Sequence, residues 1–143
     1  MDYSNSQYIS DSYENTQEIA YEFGKTLTGG EVIAFKGPMG AGKTAFISGL
    51  AKAFGAEEMV SSPTFAIMNV YPSSVELHHY DMYRIEDWEN LYSTGFFDDL
   101  DTENRIILIE WSENIAEFLP EEYITIAMSY GENENQRIIS FKK

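Results

Sequence analysis

The residues Gly37-Pro38-Met39-Gly40-Ala41-Gly42-Lys43-Thr44 have the types and spacing to hold phosphate. They fit G-x-x-x-x-G-K-[ST], and each part has a physical task. The glycines let main-chain N–H groups close around phosphate oxygens with no Cβ in the way. Lys43 reaches the β- and γ-phosphates of a nucleotide, and the Thr44 hydroxyl is a ligand for Mg²⁺. Such a loop also needs an acid at the end of a neighbouring strand. Arg105-Ile106-Ile107-Leu108-Ile109-Glu110 offers one, an apolar run closed by a carboxylate. Glu110 is one methylene longer than the commoner Asp.

A second candidate carboxylate closes His79-Tyr80-Asp81-Met82-Tyr83-Arg84. Asp81 either positions water or touches the Mg²⁺ shell, or it is a capping residue in a surface ion pair with Arg84. Arg84 either pairs with Asp81 or faces the γ-phosphate. His78 and His79 are adjacent, so on a strand they face opposite sides and are a poor joint metal site. Ser61-Ser62-Pro63-Thr64-Phe65 is a hydroxyl-rich loop that either senses the γ-phosphate or simply enters a strand. Trp111 either covers the nucleotide or anchors the core.

These groups work only if folded elements position them. Glu31–Lys36 predicts a buried strand running into the glycine loop. Lys43–Phe54 predicts a helix with Phe46, Ile47, Leu50 and Phe54 on one side and Gly55 at its cap. Strand, loop and helix are the setting in which a helix N-terminus attracts an anion. Asn15–Leu27 predicts an earlier helix. Strands are expected at Tyr8–Ser10, Phe65–Tyr71, Val75–Asp81 and Arg105–Glu110, with a turn at Pro72-Ser73-Ser74. Glu86–Tyr92 and part of Trp111–Leu119 are helix candidates, and Tyr123–Tyr130 with Gln136–Phe141 a terminal hairpin. The expected fold class is α/β, P-loop NTPase-like. A central mixed parallel/antiparallel sheet is flanked by helices and completed by the C-terminal β-hairpin. One domain is expected over residues 1–143, with residues 1–6 disordered.

Composition narrows the functions. The chain carries a net charge of −15, which argues against autonomous nucleic-acid binding. Residues 86–122 hold twelve acids and one base, Arg105, whereas Lys25, Lys36, Lys43 and Lys52 face Glu31 alone over residues 24–52. The net-positive stretch therefore surrounds the glycine loop. The acidic stretch is either a solvated face or a docking surface for a basic partner. With no cysteine, thiolate chemistry is excluded. No leader or membrane span is visible, so a cytoplasmic protein is expected. The guanine-reading Asn/Thr-Lys-x-Asp motif of GTPases is absent, which favours ATP. Only Arg84, Arg105 and Arg137 can serve as an arginine finger, so weak turnover without a partner is expected.

Gly40-Ala41-Gly42-Lys43-Thr44, Ser62-Pro63-Thr64-Phe65, His79 to Arg84 and Ile109-Glu110-Trp111, in this order, resemble the bacterial TsaE (YjeE) family from about Thr16 to Arg137. The resemblance implies an ATPase that acts with TsaB and TsaD in threonylcarbamoyl-adenosine modification of tRNA, meeting tRNA only through that complex. It implies that Gly37 to Thr44 bind ATP phosphates and that Thr44 and Glu110 hold Mg²⁺. It further implies Asp81 in hydrolysis, Thr64 in a switch-like loop, Trp111 by the nucleotide and Thr16 on the adenine side. Pro38-Met39 departs from the acid and Leu of many relatives, and Ser112 from their Pro. The alternative is a small-molecule kinase of the P-loop superfamily, although the Arg-rich lid usual in such kinases is not visible.

Overall fold

The computed structural model describes residues 3, 5–56, 60 and 67–143. The hydroxyl-rich segment containing Thr64 lies outside the described residues. Among those described, seven strands form one sheet: β1 (Asn5–Ser10), β2 (Val32–Lys36), β3 (Met68–Tyr71), β4 (Glu76–Asp81), β5 (Arg105–Glu110), β6 (Ile124–Tyr130) and β7 (Arg137–Lys142). Their order is β1-β7-β6-β2-β5-β4-β3. β2 runs parallel to both β5 and β6, and β5 parallel to β4. The edges are antiparallel, with β3 on β4, β7 on β6 and β1 on β7. β2 and β5 are buried along almost their whole length, as central parallel strands must be. β6 alternates buried Ile124, Ile126 and Met128 with more exposed neighbours, because its outer face is only partly covered.

Helices cover both faces. α1 (Tyr13–Gly24) and α2 (Lys43–Ala53) bury Phe23, Phe46 and Leu50 against Phe35, Leu108 and Phe141. On the other face, α3 (Trp88–Ser93), α4 (Phe96–Leu100) and a 3₁₀ helix (Ser112–Phe118) bury Leu91, Phe96 and Ile115 against Tyr80, Ile107 and Ile109. None of the helices described is long and apolar enough to cross a membrane.

Local chemistry sets the helix ends. Ser12 Oγ accepts from the Asn15 N–H at 3.0 Å, and Asn15 Oδ1 accepts from the Asp11 N–H at 3.0 Å. This reciprocal cap starts α1 at Tyr13, two residues before the sequence-based expectation. The helix closes at Gly24, and Thr26 and Leu27 continue in turns that bond to Phe23 and Gly24 carbonyls. Asp87 caps α3 through the Asn90 N–H.

One expectation is corrected, and one element was not foreseen. Residues 1–6 were expected to be disordered, but Asn5 and Ser6 pair with Lys142 and Phe141. Tyr3 packs its ring 5.1 Å from Phe23 and 5.0 Å from Phe141. The free edge of β7 supplies the partners that a local reading does not see. α4 was not expected at all. It is too short to show a helical period, and tertiary contacts hold it. Asp99 on α4 is buried, accepting from Arg105 Nη1 at 2.6 Å and Tyr80 Oη at 2.5 Å, with His78 Nδ1 at 2.8 Å. Burial first, and then the bond to Asp99, push the Tyr80 phenol well above its usual pKa.

Candidate functional site

β2, β4 and β5 are parallel, so Lys36, Asp81 and Glu110 end at one edge of the sheet. Ligands bind at this edge in open α/β sheets. Asp81 and Glu110 are register neighbours on adjacent strands, and the Met82 N–H bonds the Glu110 carbonyl at 3.0 Å. The glycine loop leaves β2 at this edge and enters α2. A cavity of about 760 Å³ opens there, lined by Thr16, Gly40, Gly42, Lys43, Thr44, Asp81, Glu110 and Trp111 among others.

The loop's shape depends on its glycines at two points. Gly37 has φ 140°, and a Cβ there would lie 2.2 Å from the Met128 carbonyl oxygen. Gly42 has φ 104° at the N-terminus of α2, and no side chain caps that helix. The first-turn N–H groups of Lys43, Thr44 and Ala45 have no intrahelical acceptor by construction of an α-helix. They point at the cavity end of a helix whose dipole favours anions.

The terminal hairpin braces the loop from outside. Tyr130 Oη donates to the Met39 carbonyl at 2.6 Å. Arg137 stacks 4.8 Å over the Tyr130 ring and donates to the Gly40 carbonyl at 3.4 Å. In a planar trans peptide, C=O and N–H point opposite ways. Fixing the Met39 carbonyl therefore also fixes the direction of the Gly40 N–H. Sequence reasoning had considered Arg137 only as a possible finger and had not placed Tyr130 in the site. Nothing local marks either residue as a neighbour of the loop.

Each predicted residue among those described, which leaves out Thr64, has a definite place. Met39, Gly40, Gly42, Lys43 and Thr44 line the cavity, whereas Gly37, Pro38 and Ala41 shape the loop without lining it. Ala41 is buried, and its N–H turns back to the Pro38 carbonyl at 3.2 Å. Lys43 Nζ donates to the Gly37 carbonyl at 3.0 Å and lies 5.9 Å from the Trp111 ring centre. Trp111 does line the cavity, packed 4.9 Å from the Tyr83 ring. Its backbone is left-handed, φ 60° and ψ 39°, a costly conformation for a bulky residue. Asp81 Oδ1 accepts from the Tyr83 N–H at 2.9 Å, which orients the carboxylate. Thr16 is buried, its hydroxyl 2.6 Å from Ser10 Oγ.

Glu110 has a partner that sequence reasoning missed. The fully buried His79 lies with Nε2 2.7 Å from Glu110 Oε2, and its Nδ1 is 3.0 Å from Tyr71 Oη. His78 faces the other way, to Asp99, as strand alternation requires.

The donor set fits a nucleotide polyphosphate with one divalent cation. An uncapped helix N-terminus and Lys43 suit phosphate oxygens. Among the described residues, no three His, Asp or Glu side chains cluster tightly enough to hold a metal by themselves. One hydroxyl and one carboxylate, Thr44 and Glu110, are what Mg²⁺ needs when phosphates and water complete its octahedron.

The sequence and the fold both have known counterparts. A family model described as "Threonylcarbamoyl adenosine biosynthesis protein TsaE" matches residues 10–139. A Rickettsia typhi protein named "tRNA threonylcarbamoyladenosine biosynthesis protein TsaE" is 36% identical over 134 residues, 92% of this chain and 91% of the relative. Its namesake in Treponema pallidum is 33% identical over 130 residues, 91% of this chain and 96% of the relative. In a Nostoc species the identity is 35% over 127 residues, 87% and 78% of the two chains. The crystal structure of Bacillus subtilis YdiB superposes with a TM-score of 0.81 at 27% identity, covering 99% of this chain and 86% of that one.

Proposed function

The chain belongs to the TsaE family of threonylcarbamoyl-adenosine biosynthesis proteins, and from that premise we propose that it is a Mg²⁺-dependent ATPase, slow alone and activated by TsaB and TsaD. One observation carries this reading: the uncapped N-terminus of α2, Lys43, Asp81 and Glu110 meet at a single cavity. The loop N–H groups and the Lys43 ammonium bind and neutralise the phosphates. Asp81, held by the Tyr83 N–H, orients a water toward the γ-phosphate. Trp111 and Tyr83 form an aromatic wall that limits solvent on one side. Thr44 and Glu110 would hold Mg²⁺, which when bound would offset phosphate charge.

The arginines support partner activation. Arg105 is tied to Asp99 and does not line the cavity. Arg137 lines it, but its guanidinium serves the carbonyls of Glu134, Gln136 and Gly40. Arg84 also lines the cavity, and a partner would supply further charge there.

Phosphate release with and without TsaB–TsaD tests the reading. Turnover is expected to rise at least about tenfold with the partners, within the range a supplied arginine can reach. Equal rates in both would overturn partner activation. Asp81→Asn should cut the stimulated rate about a hundredfold while leaving ATP affinity within a few-fold, since the carboxylate acts on water. Thr44→Ala and Glu110→Ala should each weaken Mg²⁺-ATP binding by about 1.5–3 kcal/mol, the worth of a charge-assisted contact. Calorimetric titration measures this, and unchanged affinity and rate in both would refute the metal assignment.

A further inference from the structure

We propose that His79, backed by Tyr71, is a positioning residue that sets the Glu110 carboxylate for the cation. This rests on the reading of Glu110 as a Mg²⁺ ligand. The three residues sit on β3, β4 and β5 and share one face of the sheet. Tyr71 pairs with Leu77 and His79 with Asn69, while Asp81 pairs with Glu110. With side chains alternating at every step, Tyr71, His79, Asp81 and Glu110 all project to the α2 side, where Thr44 begins its helix.

The bond directions follow from what each group can donate or accept. A carboxylate can only accept, so His79 Nε2 carries the proton toward Glu110 Oε2 at 2.7 Å. In the neutral ring, Nδ1 is then the acceptor of the Tyr71 hydroxyl proton at 3.0 Å. Tyr71 is itself almost fully buried, so the ring cannot turn without breaking a bond that water would not replace. One oxygen of Glu110 is thus committed to His79, and the other remains for the cavity that Glu110 lines. A Glu has one more rotor than the Asp usual at this place. The imidazole removes that freedom, as a hydrogen-bonding partner behind a metal ligand does.

Calorimetric ATP titrations in EDTA and across a Mg²⁺ series test the role, with melting curves as a fold control. His79→Leu removes the donor. It should raise the Mg²⁺ concentration needed for half-maximal effect about tenfold or more, with ATP affinity in EDTA within about twofold of wild type because Lys43 and the loop are untouched. His79→Gln keeps an N–H on a side chain of similar reach and should restore the Mg²⁺ midpoint to within about threefold. Tyr71→Phe should raise it about two- to fivefold, and it decides the matter if the leucine variant does not fold. An unchanged midpoint in His79→Leu, or an equal defect in His79→Gln, overturns the inference and leaves His79 as a packing residue. Wild-type binding that does not respond to Mg²⁺ overturns the metal reading of Glu110 together with this inference. A wild type that responds to Mg²⁺ beside a His79→Leu variant with the same midpoint overturns this inference alone.

Discussion

Lys43→Ala is expected to reduce kcat/KM for ATP by about a hundredfold or more while leaving the melting temperature nearly unchanged. The two halves of that result have separate causes. Lys43 Nζ is folded back on the Gly37 carbonyl at 3.0 Å and lines the cavity, so its charge stands where a polyphosphate would develop negative charge. That bond is exposed, so deleting it costs little fold stability. The loop shape does not depend on it either. It comes from Gly37 against Met128 and from the Tyr130 brace on Met39. Phosphate-release kinetics with TsaB and TsaD present, beside a thermal melt, would check both halves. Retained turnover would remove Lys43 from the catalytic role proposed for it.

Gly49→Val should have the largest effect on stability, a loss of about 3 kcal/mol, at the upper end of the usual cost of overpacking. Gly49 lies in α2 where α1 crosses it. A Cβ at this position would lie 2.2 Å from the Gln17 carbonyl oxygen and 2.8 Å from Gln17 Cα. Those atoms are backbone and cannot swing aside, so α1 would have to move as a body. On the same interface, a Cβ at Gly24 would lie 2.7 Å from Ala53 Cβ, which leaves no slack. Because α1 and its cap carry Ser12, Tyr13 and Thr16 into the cavity wall, nucleotide affinity should fall with stability. Denaturant unfolding and calorimetry measure the pair. A change below about 1 kcal/mol would mean that the helices separate without cost.

The central strands and the loop between β2 and α2 were legible from the sequence because their signals are local. A continuous apolar run marks β5, and the predicted range Arg105–Glu110 matches the strand. The glycine loop carries its own geometry, and Gly55 stops α2 through a left-handed φ of 78°. Elements held by distant partners were not legible. β1 extends to Asn5 because β7 offers an edge more than a hundred residues later. α4 persists because Asp99 is held by Arg105, Tyr80 and His78 from two strands.

The same division runs through the site. By itself the sequence determined that a glycine-rich loop follows a buried strand, that Asp81 and Glu110 end strands, and that the arginines are few. Those facts depend on residue type and on spacing within a few residues. Only the tertiary structure decided that both carboxylates meet the loop, because parallel pairing of β2, β5 and β4 puts their ends at one edge. It also decided what holds them in place. Tyr130 reaches Met39 across 91 residues and His79 reaches Glu110 across 31, separations at which no local pattern survives. The physical reason is that a motif specifies its own backbone, whereas the partner of a side chain is chosen by which strands lie next to one another.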